Sequence, residues 1–150
     1  MIGFRFRLEK VLAWRRTQLE LAEADFRREA AALARLEQAR ADLEKRGVQT
    51  ELEVRDWSPL VGSDLAALNG FRRYVERRAQ ELAAQREEQA RKVAERQQVL
   101  LEARRRCRLL ERLRERRLEE WQSENQKELE QIAAESHLAR LARQSSIMDE

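Results

Sequence analysis

The sequence is poor in the residues that a thick core, a disulfide framework or a metal-dependent active site requires. Among its 150 residues are four glycines, one proline, one cysteine and one histidine, and aromatic residues make up 5%. A single cysteine excludes an internal disulfide, and His137 alone supplies too few ligands for a metal cluster or a histidine-based dyad. No G-x-x-x-x-G-K-[ST] motif occurs, which excludes the P-loop route to ATP hydrolysis. We therefore expect a protein without enzymatic activity and without a cofactor.

Long apolar runs are also absent. No stretch approaches the roughly 18–20 apolar residues that a membrane span needs. The N-terminal residues MIGFRFRLEKVLAWRR contain neither the apolar region nor the small-residue cleavage site of a signal peptide. We expect no membrane span and a location in a reducing compartment, the cytoplasm.

The residues that the sequence does have in abundance are charged residues and helix formers. Charged residues make up 39% of the chain, and 31 basic residues nearly balance 28 acidic ones. Together with frequent alanine, leucine and glutamine, this composition is typical of long helices and coiled coils. Disorder is the competing interpretation of so charged a chain. The balance of charge and the regular recurrence of apolar residues favour helices instead.

The residues that interrupt helices are concentrated in the middle of the chain. Three of the four glycines lie between residues 47 and 70, together with the only proline, Pro59. The residue before a proline avoids the helical conformation, so a bend is expected here. We predict a single coiled-coil domain over residues 1–150, with helix one at about 4–55, a bend at about 56–63, helix two at about 64–143 and a tail at about 144–150.

Apolar residues recur at alternating steps of three and four on both sides of this bend. That spacing is typical of the seam of a coiled coil. Before the bend the predicted seam consists of Leu8, Leu12, Leu19, Ala22, Phe26, Leu33, Leu36 and Leu43. After the bend it consists of Leu68, Val75, Ala79, Leu82, Val93, Leu100, Ala103, Cys107 and Leu110.

These features predict an all-α fold, a long antiparallel two-helix coiled-coil hairpin with an overhanging C-terminal helix. With the bend near Trp57, residue n of helix one faces roughly residue 114 − n of helix two. Helix two then extends beyond helix one and leaves residues from about 115 to 143 without an intramolecular partner. Trp121 lies in this overhang and is predicted to lack an internal contact.

Charge is sorted along the chain. Residues 104–117 hold eight arginines and two glutamates, residues 1–16 hold five basic residues and one glutamate, and residues 118–136 hold six glutamates and one lysine. The predicted register makes the first two segments neighbours, and we call them together the basic region. A cationic surface of this kind steers an acidic partner and fixes its orientation. The predicted partner-binding residues are Arg5, Arg7, Arg104, Arg105, Arg108, Arg112, Arg116 and Trp121.

Two alternatives apply to the arginines. They form a solvated helix face in which some bridge to Glu111 and Glu115 and contribute little, or they neutralise phosphates of a nucleic acid. Interleaved glutamates, the lack of aromatic stacking platforms and the lack of a helix-turn-helix or zinc ligand set argue against nucleic acid. Cys107 lies on the predicted seam, which favours a small core residue over a nucleophile.

Several segments resemble the flagellar export protein FliJ family. The opening FRFRLEKVLAWRR resembles the aromatic and basic start of that family, and LNGFRRYVERRAQEL resembles the opening of its C-terminal helix. LLERLRERRLEEW and QKELEQIAAESHLAR resemble its later segments. The likeness spans nearly the whole chain, although the SHLAR close departs from the Asp-Glu pair expected there.

The resemblance implies a non-enzymatic coupling protein of flagellar type III export, similar to the central stalk of rotary ATPases. It implies a cytoplasmic location, peripheral to the inner-membrane export apparatus. The implied partners are the export ATPase ring, an export gate protein and chaperones of late substrates, with no small-molecule substrate. The basic region is expected to enter an acidic opening of the ring, and Phe71 and Tyr74 to contact the gate or chaperones by analogy. Alternatives are the homologous stalk of a virulence secretion system and a generic coiled-coil scaffold.

Overall fold

The computed structural model describes residues 2–149, which contain two long helices. Helix α1 spans Glu9–Arg55 and helix α2 spans Gly62–Met148. No strand occurs in the described residues. The two helices pack against each other in antiparallel directions, which confirms the predicted all-α two-helix hairpin.

Helix α1 begins later than predicted, at Glu9 rather than near Phe4. Residues 2–6 are not helical, and the first turn is closed by a hydrogen bond from the Glu9 N–H to the Phe6 carbonyl at 3.2 Å. The acidic side chain of Glu9 stands at the positive end of the helix dipole, where it is stabilising. The residues before Glu9 lie outside the helix, and Phe4 among them packs on Trp121 of α2.

Helix α2 begins at Gly62 with a reciprocal cap. The Val61 N–H donates to a carboxylate oxygen of Asp64 at 3.2 Å, and the Asp64 N–H donates to the Val61 carbonyl at 3.0 Å. The Asp64 side chain forms one half of a capping box, in which the third residue of the helix reaches back to the cap, and the return bond is made by the Val61 backbone carbonyl. It fixes the start of α2 two residues before the predicted one.

Helix α2 ends at Met148, whereas a tail was predicted from about residue 144. The hydroxyls of Ser145 and Ser146 donate to the carbonyls of Ala142 and Arg143 at 2.9 and 3.4 Å. Serine side chains that bond to the preceding turn are compatible with a continuing helix. The two serines therefore do not end α2.

The predicted seam forms the buried core. Buried apolar side chains are Leu12, Ala22, Leu43 and Val54 on α1 and Leu82, Leu100 and Cys107 on α2. All of these except Val54 belong to the predicted seam. Leu8 was predicted to belong to the seam, but it precedes α1 and is exposed.

The predicted register is displaced. In the predicted register Glu51 faces Ser63. In the structure the Glu51 carboxylate accepts a hydrogen bond at 2.7 Å from Arg72, which lies nine residues after Ser63. The Glu37–Arg86 pair, at 3.0 Å, shows the same displacement. The displacement arises because the connection runs from residue 56 to 61, beyond the Trp57 assumed as its centre, and because the first turns of α2 extend past the end of α1.

The chain divides into two compact units. The central unit is Thr17–Arg104, and the terminal unit comprises Met1–Arg16 and Arg105–Glu150. The terminal unit contains most of the basic region, and the central unit contains Phe71 and Tyr74.

Candidate functional site

The N-terminal segment, residues 2–8, packs on α2 within the terminal unit. The ring centroids of Phe4 and Trp121 lie 6.0 Å apart. The guanidinium carbon of Arg114 lies 5.7 Å from the Phe4 centroid, and its Nε donates to Glu9 at 3.0 Å. Trp121 is consequently half-buried, and the prediction that it lacks an internal partner is wrong. The register is displaced by nine residues, and the non-helical segment before α1 also packs on α2. The packed region therefore reaches Trp121.

The overhang of α2 begins later than predicted. Asn125 is the last residue of α2 that is partly shielded, and every described side chain from Gln126 onward is exposed. We call residues 126–148 the C-terminal arm. Residues 115–125, which were predicted to be unpaired, belong to the packed part of the terminal unit.

The structure sorts the eight arginines of residues 104–117 into two sets. Arg104 lies 3.9 Å from Glu23, Arg114 lies 3.0 Å from Glu9, and Arg117 lies 3.0 Å from Glu120. Arg106 is also partnered. The remaining four are exposed and have no carboxylate within 4.0 Å among the described residues: Arg105, Arg108, Arg112 and Arg116.

These four arginines lie on one face of α2, and we call them the arginine stripe. Their spacings of three, four and four residues place neighbouring side chains one above another. At 1.5 Å per residue the stripe extends about 16 Å along the helix. At about 100° per residue, it lies on the side of α2 away from the seam residues Cys107 and Leu110. The result is a row of four uncompensated positive charges in solvent.

Glu111 does not compensate the arginine stripe. Its Oε1 accepts a hydrogen bond from Arg16 Nε at 3.5 Å and lies 3.6 Å from the Cys107 sulfur. Glu111 therefore faces the seam and α1. The alternative in which the arginines bridge along the helix to Glu111 and Glu115 does not hold for the four residues of the stripe.

Arg5 and Arg7 add two further free cations to the terminal unit. Residues 4–6 have no regular secondary structure, and residues 7 and 8 form a turn. Exposure alternates along this segment: Phe4 and Phe6 are half-buried, whereas Arg5 and Arg7 are exposed and form no ion pair with a described residue. The FRFR alternation is the sequence signal for this segment, and assigning it to a helix concealed the Phe4–Trp121 contact.

The structure brings Phe71 and Tyr74 together in the central unit, with ring centroids 6.4 Å apart. Phe71 also lines a shallow groove of about 460 Å³ with Val48 and Val75. Gly47 also lines this groove, and a Cβ at that position would lie 3.7 Å from a methyl carbon of Val75, an ordinary van der Waals distance. Gly47 lies within α1 and does not end the helix.

Cys107 is buried in the seam of the terminal unit. Burial raises the pKa of its thiol above the usual 9.0, and the negative charge of Glu111 raises it further. The thiol is therefore protonated at neutral pH and packs as a small apolar group.

Neither a metal-binding cluster nor a membrane-spanning helix is found in the described residues. Residues 2–149 contain no group of three or more histidine, cysteine, aspartate or glutamate side chains arranged to hold a metal ion. None of the helices described here combines the length and the apolar character needed to cross a bilayer.

Comparison with known proteins identifies no relative. No family model matches the chain, and no curated protein and no solved structure gives a significant match. The resemblance to the FliJ family thus rests on the quoted residues alone.

Proposed function

We propose that this chain is a non-enzymatic coiled-coil component of the flagellar type III protein export apparatus, and that its terminal unit binds the export ATPase ring. The observation that carries the proposal is the arginine stripe. Four arginines on one helix face have no carboxylate partner among residues 2–149, while four others in the same run are neutralised or otherwise engaged.

An uncompensated row of guanidinium groups is suited to a carboxylate-lined surface. Arginine forms bidentate hydrogen bonds with carboxylates and is weakly hydrated, which favours its use in interfaces. Long-range attraction speeds the encounter and orients the partner, and it weakens as salt is added. The partner expected at this site is therefore acidic, in keeping with the hypothesis that the basic region enters an acidic opening of the ATPase ring.

The other partners in this proposal are an export gate protein and chaperones of late substrates, which contact Phe71 and Tyr74 in the central unit. Tyr74 is exposed, and the adjacent groove gives an apolar side chain a place to insert. Under this proposal the protein acts in the cytoplasm, peripheral to the inner-membrane export apparatus, and couples the ring to the gate. The assignment of these partners rests on analogy.

The test is a capture assay with purified export ATPase at two salt concentrations. Replacing Arg105, Arg108 and Arg112 with glutamate is expected to weaken capture at least about tenfold. The matched control replaces Arg35, Arg46 and Arg91, which are exposed arginines of the central unit without an ion pair, and retains capture. Equal capture by both variants would refute the proposal.

Nucleic acid is tested in the same assay, because arginines spaced about 5–6 Å apart can also contact phosphates. Random DNA and RNA are titrated against the wild-type chain at the same two salt concentrations. Tight binding with a steep salt dependence, combined with no ATPase capture, would replace the export function with a nucleic-acid one.

A further inference from the structure

We propose that a groove between the N-terminal segment and α2 binds an acidic amphipathic helix of a partner protein. This inference rests on the proposed function, since it names the element of the partner that the terminal unit receives. The groove has a volume of about 720 Å³ and is lined by Phe4, Phe6, Leu8, Leu113, Arg117 and Trp121, among others. We call it the N-terminal groove.

The floor of the N-terminal groove is apolar. Phe4, Phe6, Leu113 and Trp121 are each half-buried, so each keeps part of its surface open to solvent. The volume lies within the range of pockets that enclose several large side chains. A groove of this kind receives the apolar face of a helix whose anchors recur at three and four residues.

The apolar surface continues beyond the groove along α2. Leu109 precedes Leu113 by one turn of α2 and is 57% exposed. From Leu109 to Trp121 the apolar positions span about 18 Å at 1.5 Å per residue. That length suits a helix of about three turns rather than a single inserted side chain.

The rim of the groove selects the charge of the occupant. Arg117 is neutralised by Glu120 at 3.0 Å, whereas Arg5 and Arg7 line the groove without an ion pair. Glu124 is the remaining charged residue of the lining, so the two free arginines outnumber it. Carboxylates that flank the apolar face of the incoming helix therefore meet Arg5 and Arg7.

The N-terminal groove is a different surface from the arginine stripe. On α2 the groove uses Leu113, Arg117 and Trp121, whereas the stripe uses positions that are rotated about 100° from them. The terminal unit thus offers one partner helix an apolar groove and a second partner surface a row of cations. Separate substitutions address the two surfaces.

The test measures binding of two fluorescent helical peptides to the full chain by anisotropy. One peptide carries a leucine face flanked by glutamates, and the other carries the same leucine face flanked by lysines. The acidic peptide is expected to bind at least about tenfold more tightly than the basic one. Arg5→Glu with Arg7→Glu should remove most of that difference, since neither arginine has an ion-pair partner among the described residues whose loss would disturb the fold.

Two controls make the test decisive. Leu113→Asp should abolish binding of the acidic peptide while the helix content measured by circular dichroism stays unchanged. Arg35→Glu with Arg91→Glu should leave binding unchanged. Failure of the acidic peptide to bind, or equal binding of both peptides, would overturn the inference. Capture of the ATPase through the arginine stripe uses neither peptide, so its success or failure is scored separately.

Self-association is the other outcome to be measured. Residues 126–136 of the C-terminal arm carry three glutamates and one lysine and expose Leu129 and Ile132, so a second copy of the chain is a competing occupant. Light scattering after size exclusion determines the mass of the wild-type chain and of the Arg5→Glu, Arg7→Glu variant. A dimer that this variant abolishes would assign the groove to a second copy and overturn the proposal, whereas a monomer in both cases supports it.

Discussion

At the scale of single residues, the arginines of the terminal unit divide into those that are paired with a carboxylate and those that have none nearby among the described residues. Arg114 and Arg117 hold glutamates within 3.0 Å, whereas Arg105 and Arg112 hold none. Exposed ion pairs contribute about 0–1 kcal/mol each, so the paired arginines add little to stability. The unpaired arginines form no ion pair that would stabilise the fold. They are therefore available for binding.

Cys107 provides the first prediction at this scale. Its thiol is buried, and both burial and Glu111 raise its pKa above 9.0, so little reactive thiolate is present at neutral pH. We expect alkylation of the native protein to be much slower than that of the unfolded chain. The alkylation rate of the native protein should rise with pH, with an apparent pKa above 9.0. Glu111→Gln should lower that pKa only in part, because burial is the larger cause.

The measurement is the rate of reaction with a chromogenic disulfide reagent between pH 7 and 10, with and without denaturant. The raised pKa stabilises the folded state below the unfolded thiol's pKa, and that contribution is lost as pH rises through the folded value. A native rate equal to the unfolded rate at pH 7 would show that Cys107 is accessible.

At the scale of the helices, stability depends on the seam. Leu82 is 3% exposed, whereas Leu101, on the same helix and in the same unit, is 48% exposed. Truncation to alanine at Leu82 should lower the free energy of unfolding by about 2–5 kcal/mol. The same truncation at Leu101 should change it by less than about 0.5 kcal/mol. Urea unfolding followed by circular dichroism compares the two, and equal losses would contradict the assigned seam.

Gly70 provides the converse prediction. It lies inside α2, and a Cβ added there would meet no other atom within 4 Å. Gly70→Ala should therefore raise the free energy of unfolding by about 0.5–1 kcal/mol, because alanine loses less backbone entropy in a helix. Ala67→Gly, at an exposed site one turn earlier, should lower it by a similar amount. A destabilising Gly70→Ala would mean that the glycine serves an interaction of this face.

Much of this organisation was predictable from the sequence, and the part that was not has a physical reason. The steps of three and four marked Leu12, Leu43, Leu82 and Cys107 as seam residues because helical periodicity is a local property. The register was not predictable in the same way, since it depends on the path of residues 56–61, which no apolar pattern encodes. The exposure of Arg105 and its neighbours could be inferred from spacing, but their lack of partners depends on that register.

The contact between Phe4 and Trp121 was missed for a related reason. The FRFR alternation has a period of two and was assigned to the first helix, although it precedes that helix. In this non-helical segment Phe4 reaches Trp121 of α2, beyond the start of α1. Part of the candidate site thus depends on a non-helical segment next to two dominant helices.

At the scale of the whole molecule, packing in the terminal unit ends well before the chain does. Leu118 and Trp121 are half-buried, Asn125 is the last shielded residue, and the side chains of the C-terminal arm are exposed. An isolated helix of this length is marginal in water, because propensity alone barely exceeds the entropy of ordering the backbone. The arm is therefore expected to be only marginally stable as a helix, while residues 105–125 are supported by packing within the unit.

Amide hydrogen exchange measured by mass spectrometry tests this difference in the full chain. Amides of the C-terminal arm should exchange at least about tenfold faster than those around Leu110 in the packed part of the same unit. Local opening of the arm exposes no buried side chain, whereas opening at Leu110 breaks the seam. Addition of the export ATPase should slow exchange in residues 105–121, where the arginine stripe and the groove lie. Uniform protection from residue 105 to 148 in the free monomer would contradict the assignment of the arm as an unsupported helix.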